Sequence, residues 1–207
     1  MSYEKEISEK IEKRQPLPAK LDISVIKYFW QASPFTSSHR DHVPKFLRKI
    51  EVLKHFSDNE LRILSKYLHK RTFSATETIF RQGDKGVGFY FVYSGHVEAI
   101  VSSESAQEMG EITNTASKHV VSLERKDYFG ELALLQENNI RSATVIAKSS
   151  CDLLGIFKPD LENLIEEWPT VAARLLQAIS IIVADRFYLI SQEVGHLKYK
   201  ILQLENK

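Results

Sequence analysis

The stretch FGELALLQENNIRSATV, residues 129–145, decides how the rest of the chain is read. Phe129-Gly130 ends a turn, and Glu131-Leu132-Ala133-Leu134-Leu135 is long enough for about one and a half helical turns. The backbone N–H groups of a helix's first turn have no partner inside the helix and carry partial positive charge. A phosphate sits well there when the backbone can be approached closely, which a glycine at 130 permits. Arg141 supplies a planar, always-charged fork for phosphate oxygens. Glu131 is a fixed pair of acceptors, suited to a sugar hydroxyl and unsuited to a second phosphate. An isolated Glu and Arg at this separation would read as a plain surface ion pair. Turn, short helix, polar loop and strand together read instead as a cradle for one phosphate and one ribose.

On either side of this cradle the sequence speaks of strands. Phe89–Tyr93 and His96–Val101 read as two strands joined by Ser94-Gly95, and Phe73 and Glu77–Phe80 as earlier ones. His119–Leu123 returns as a strand, and Ala143–Ala147 and Cys151–Phe157 close the set. Gly83, Gly86 and Gly88 are followed by a strand rather than a helix, which rules out a dinucleotide fingerprint. Ser102–Lys118 is a long polar loop, read as a hairpin insertion, with a contact or ligand-covering role as the alternative. Helical language brackets the strands. Pro44–His55 reads as a short helix. Ser57-Asp58-Asn59-Glu60 is a capping box, with Phe56 and Leu61 as its hydrophobic staple. Pro159 opens a helix over Asp160–Glu167 with Leu161, Leu164 and Ile165 on one face. The expected fold is α+β: an antiparallel, jelly-roll-like β-roll flanked by helices.

G-E-L-A-L, a polar loop and R-S-A-T-V, preceded at the right distance by I-F-R-Q-G-D and F-Y-F-V-Y-S-G-H-V, resemble the cyclic nucleotide-binding domain family. That family includes protein kinase A regulatory subunits, cyclic nucleotide-gated channels and the catabolite activator protein. The resemblance implies that Glu131 holds the ribose 2′-hydroxyl and Arg141 the cyclic phosphate. Gly130 and the backbone amides near Leu132, Ala133, Ser142 and Ala143 complete the implied grip. Many family members carry a Gly or Pro in the loop between Glu131 and Arg141; this chain has neither. The implied ligand is cyclic AMP, with cyclic GMP as the alternative, since Ser142 does not discriminate between them.

From Val171 onward the pattern is one long helix. Val183, Phe187, Ile190, Val194, Leu197, Ile201 and Leu204 alternate steps of four and three, which is a heptad seam. β-Branched Val194 and Ile201 at a, with Leu197 and Leu204 at d, favour a parallel two-stranded coil. Across such a pair Glu193 faces Lys198 and Lys200 faces Glu205, both attractive. Gly195 is a weak point. The alternative is that this face packs back on its own roll. By family spacing Arg186, beside the seam, falls level with the pocket and is a candidate contact for the purine base.

The expected organisation is an N-terminal arm over 1–48 with the aromatic docking segment Val25–Trp30, a ligand-binding roll over 49–167, and a dimerisation helix over 168–207. A net charge of +1 gives no argument for nucleic acid or an acidic membrane. Cys151 stands alone in an apolar run and reads as a buried thiol. His39 and His42 lack a third ligand, so no metal is expected. The other histidines are too scattered for a cupin-type catalyst, no nucleophile motif appears, and no axial haem ligand can be identified. The reading is a cytoplasmic, non-enzymatic cyclic nucleotide receptor that needs no cofactor. It is expected to form a homodimer, to act on an effector protein, and to touch neither DNA nor membrane. Lys207 follows the coil too closely for a helix-turn-helix. The alternatives are a nucleotide-independent interaction roll, or the sensor part of a catabolite-activator-like regulator.

Overall fold

The computed structural model describes residues 42–102, 118–137 and 140–205. The elements run α1 (His42–Leu47), a 3-10 turn (Glu51–Leu53), α2 (Asp58–Lys66), β1 (His69–Phe73), β2 (Thr78–Phe80), β3 (Gly88–Ser94), β4 (Val97–Ser102) and β5 (Lys118–Leu123). They continue with β6 (Tyr128–Phe129), α3 (Leu132–Leu135), β7 (Thr144–Ala147), β8 (Cys151–Phe157), α4 (Lys158–Glu167) and α5 (Pro169–Glu205). The aromatic segment Val25–Trp30 and most of the long polar loop lie outside the described residues.

Two antiparallel sheets form the roll. One has the strand order β1-β8-β3-β6, the other β2-β7-β4-β5. The two-residue period of a strand explains why β3 and β8 read as continuous apolar runs. Tyr90 and Val92 of β3, with Leu153 and Phe157 of β8, pack into a cluster with Ile79, Phe80, Val97 and Val145 of the other sheet. Their neighbours Phe89, Phe91, Leu154 and Ile156 point the other way, into a second cluster with the helices. The central strands β3 and β8 of the first sheet are therefore buried on both faces. Gly155 makes room in it, since a Cβ there would come within 2.9 Å of the Tyr90 ring.

The helices form where local chemistry directs them. Ser57 Oγ accepts the Glu60 N–H and the Glu60 carboxylate accepts the Ser57 N–H, so the capping box opens α2 as expected. The expected helix over Pro44–His55 is split into α1 and the 3-10 turn. At α4, Asp160 accepts the Phe157 N–H at 2.9 Å and Pro159 sits in the first turn, where its missing N–H costs nothing. The helical cluster includes Phe46 and Leu47 of α1 and Val171 to Ile182 of α5. One packed unit thus runs across the expected boundaries at 48 and 167. Cys151 is buried, and burial pushes its thiol up to about 11, so it stays protonated.

Beyond Ile182 the seam of α5 does not fold back on the roll. Phe187 is 71% exposed, Leu197 50% and Leu204 72%. No described helix is long and apolar enough to cross a membrane.

Candidate functional site

The turn after β6 brings the cradle together. Gly130 adopts φ +82°, the left-handed region that glycine enters without steric cost. Glu131 follows, and α3 winds only four residues from Leu132 to Leu135. So short a helix adds little dipole, and what it contributes is shape. It points Glu131 inward while Ala133 and Leu134 anchor the turn in the core.

Arg141 enters from the opposite side. Its backbone is clamped by the turn after β2: the Arg141 N–H donates to Asp84 O at 2.8 Å and the Gly83 N–H donates to Arg141 O at 2.9 Å. Thr144 Oγ1 takes the Gln82 N–H at 3.0 Å. The R-Q-G-D stretch thus fixes the arginine's backbone. The guanidinium donates to Gly88 O at 2.8 Å and Gly130 O at 3.3 Å, and lies 3.9 Å from the Phe80 ring centroid. Phe80 and Gly88 were not singled out from the sequence, although glycine is required at 130 for a related reason. A Cβ on Gly130 would lie 2.5 Å from Arg141 Nη1 and 2.9 Å from Gly88 O.

Arg186 arrives from α5. Its Nη1 donates to both oxygens of Glu131, each at 2.8 Å, and its Nη2 donates to Tyr128 O at 3.0 Å. The long helix is therefore tied by charge to the cradle. Tyr128 sits beside this pair, and burial raises its phenol above its ordinary pKa.

These groups line one open cleft, with about 450 Å³ of atom-free space when its open mouth is included. Gly130, Glu131, Leu132, Arg141, Ser142, Ala143 and Arg186 all line it. Ala133 does not. It is buried, and its N–H donates to Gly130 O at 3.1 Å, so that amide is engaged within the turn rather than presented to the cleft. Phe80, Ala99, Phe129, Ile140 and Val145 supply the apolar wall. Arg186 contacts Glu131 here, where the spacing suggested a contact to a purine base. Among the described residues no cluster of His, Cys, Asp or Glu could hold a metal ion.

Comparison with known proteins agrees with this geometry. Residues 70–167 match the model of the cyclic nucleotide-binding domain. The chain is 28% identical over 144 residues to the cAMP-activated global transcriptional regulator CRP of Escherichia coli, covering 69% of this chain and 62% of that protein. It is 37% identical over 111 residues to a cAMP-dependent protein kinase regulatory subunit of Dictyostelium discoideum, covering 53% and 32%. The Thermus thermophilus catabolite activator protein superposes with a TM-score of 0.58 at 26% identity, over 71% of this chain and 62% of that one. The chain thus spans less than two thirds of these proteins' own lengths. With two antiparallel sheets, an inward Glu131 and Arg141 and a matching sequence model, residues 70–167 belong to the cyclic nucleotide-binding domain family, related to CRP and to protein kinase A regulatory subunits.

Proposed function

We propose that this chain is a receptor for a purine 3′,5′-cyclic nucleotide, cyclic AMP before cyclic GMP, and acts as a regulatory switch rather than a catalyst. One observation carries the reading. The buried charged side chains among the described residues are Glu131 and Arg141, each 4% exposed, and both line the same cleft. Burying an ion costs several kcal/mol, so two in one cleft argue for a ligand whose binding they serve. Arg186 pairs with Glu131, and Arg141 brings a permanent positive charge to the same cleft, which suits an anion. A cyclic phosphodiester carries a single negative charge and presents a ribose hydroxyl to Glu131. A linear phosphomonoester carries more charge and lacks the ring. Relatives named for activation by or dependence on cAMP support reading that nucleotide before cyclic GMP.

The switch would work through α5. A ribose hydroxyl that takes an oxygen of Glu131 must share that carboxylate with Arg186. The ligand then has different affinities for different settings of α5, which any population shift requires. The exposed seam would hold a second copy, and an effector protein would read the resulting change. The saturated state of Glu131 favours a second reading, in which the cleft is a self-satisfied polar core in a nucleotide-independent interaction module.

Calorimetric titration with cyclic AMP, cyclic GMP and 5′-AMP separates the two. Binding of one cyclic nucleotide at micromolar or lower concentration, with none for 5′-AMP, is the expected result. No heat from any of them, with folded and ligand-free protein, would leave the interaction module.

A further inference from the structure

Phe157 ends β8 and stands at the N-cap of α4. Ser, Thr, Asp or Asn at that position would offer the helix's first turn a side-chain acceptor, and phenylalanine offers none. Its ring has a different use. It is buried and lies against Gly88, its cross-strand partner in β3. A Cβ on Gly88 would come within 2.7 Å of two ring carbons, so the ring fills the space where a side chain at 88 would stand. Tyr90 meets the same ring edge-on with 6.0 Å between centroids, and the His69 ring lies at 5.7 Å. The carbonyl of Gly88 is the one that takes the Arg141 guanidinium at 2.8 Å. Its neighbour is fixed as well, since Val87 O accepts the Lys158 N–H at 3.1 Å.

The first turn of α4 is itself tied down on two sides. One oxygen of Asp160 accepts the Phe157 N–H at 2.9 Å, and the other meets His69 Nε2 of β1 at 2.9 Å. Lys158 Nζ donates to Gln136 O at 2.8 Å, at the C-terminal end of α3. The β8–α4 junction therefore reaches the anchor of Arg141 and the far end of the helix that follows Glu131. Neither Phe157 nor Lys158 lines the cleft, so an effect of either on a ligand must pass through the groups they hold.

We propose that Phe157 is a positioning residue for Arg141: its ring sets the place of Gly88 O, and the guanidinium's place in the cleft thereby depends on how α4 is seated. That this placement serves a cyclic phosphate rests on the nucleotide reading; the placement itself does not.

Nuclear magnetic resonance of the Arg141 guanidinium in the full chain tests the placement without any ligand. Its signal is identified by its loss in Arg141→Lys. In the parent, rotation of the guanidinium is expected to be slow, because Nη2 is held by Gly88 O. Phe157→Leu keeps an apolar side chain and removes the ring, so rotation should become fast while the thermal transition stays cooperative. Phe157→Met, a more adaptable filler, should do the same and keeps the test open if the leucine variant misfolds. Asp160→Ala removes the carboxylate shared by Phe157 and His69, and should also speed rotation. Slow rotation in folded protein without the ring overturns the positioning role, as does fast rotation in the parent. Rotation unmoved by Asp160→Ala overturns the dependence on α4. Calorimetry then reads the consequence: Phe157→Leu should weaken cyclic AMP binding about tenfold, and by less than about twofold where Arg141→Lys has already removed the fork. An equal loss in both backgrounds would make the ring a filler of the core and overturn the proposal. A parent that binds no cyclic nucleotide, with rotation responding as expected, would remove the nucleotide reading and leave the placement standing.

Discussion

Gly130 and Arg141 are fixed by one another. The glycine has no side chain where the guanidinium lies, and the guanidinium bonds to the glycine's own carbonyl. Gly130→Ala combines two penalties. A non-glycine residue in the left-handed region costs about 1–2 kcal/mol, and the new methyl displaces Arg141 from Gly88 O. We expect a stability loss of about that size in chemical denaturation, and a nucleotide affinity loss beyond what the lost stability explains. Unchanged affinity would show that the arginine's position is not set by this contact. Arg141→Ala removes the charge itself and should weaken cyclic nucleotide binding by about 2–5 kcal/mol in calorimetry. Arg141→Lys should fall in between, because it keeps the charge and loses the fork. Glu131→Ala should weaken binding less and erase the preference for the ribose over its 2′-deoxy analogue. Wild-type affinity in both the Arg141 and the Glu131 variants would remove the cradle from consideration.

The elements that hold the cradle were legible to different degrees. Local chemistry was readable: Ser57 and Glu60 cap α2 as their spacing implied, and the apolar runs of β3 and β8 became strands. The site's two charged residues were readable as well, since both belong to one continuous stretch. Contacts between distant segments were not. Gly88 O is 53 positions from the guanidinium it receives, and Phe80 comes from a different strand again. Periodicity tells which face a residue takes, and says nothing about which strand lies beside it. Arg186 was half legible: its level along α5 followed from counting, but its turn towards Glu131 depends on how the helix crosses the roll. Asp152 shows the same limit. It pairs across from Thr72, accepts that hydroxyl at 2.7 Å, and meets Lys70 Nζ at 3.0 Å and Ser94 Oγ at 3.3 Å, which ties β8 to β1 and β3. Burial pushes its carboxyl up, but the Thr72, Lys70 and Ser94 partners outweigh burial and hold it below the ordinary value. A depressed pKa in the folded state stabilises above the unfolded value, about 3.9 for aspartate, and that stability fades as pH falls through the folded value. Asp152→Asn should therefore lower Tm at neutral pH, with the gap to the parent closing in acid. A gap that stays constant down to about pH 3 would mean that the ionised carboxylate contributes nothing.

At the scale of the molecule, α5 is one helix with two environments. Its first half is core: Val171, Leu175, Ile179 and Ile182 are buried with the roll. Its second half has no such support within the described residues, yet it runs on to Glu205 with Phe187, Ile190, Val194, Leu197, Ile201 and Leu204 exposed. A helix of that length is only marginal in water without an apolar partner. In the proposed parallel coil the two charge pairs would add about 0.3–1 kcal/mol each and Gly195 would take about 1 kcal/mol away, so the seam itself would have to supply the association. Leu197 sits in its middle. Leu197→Asp would place a carboxylate in that seam on each of two helices, opposed by its own copy. If the proposed coil forms, the parent should be a dimer and the variant a monomer in light scattering at micromolar protein, with no loss of the roll's thermal transition, since Leu197 is not part of its core. A dimer that survives the change would place the interface on the roll or on the opposite face of α5, and α5 would then report ligand binding within one chain, through Arg186 and Glu131 alone.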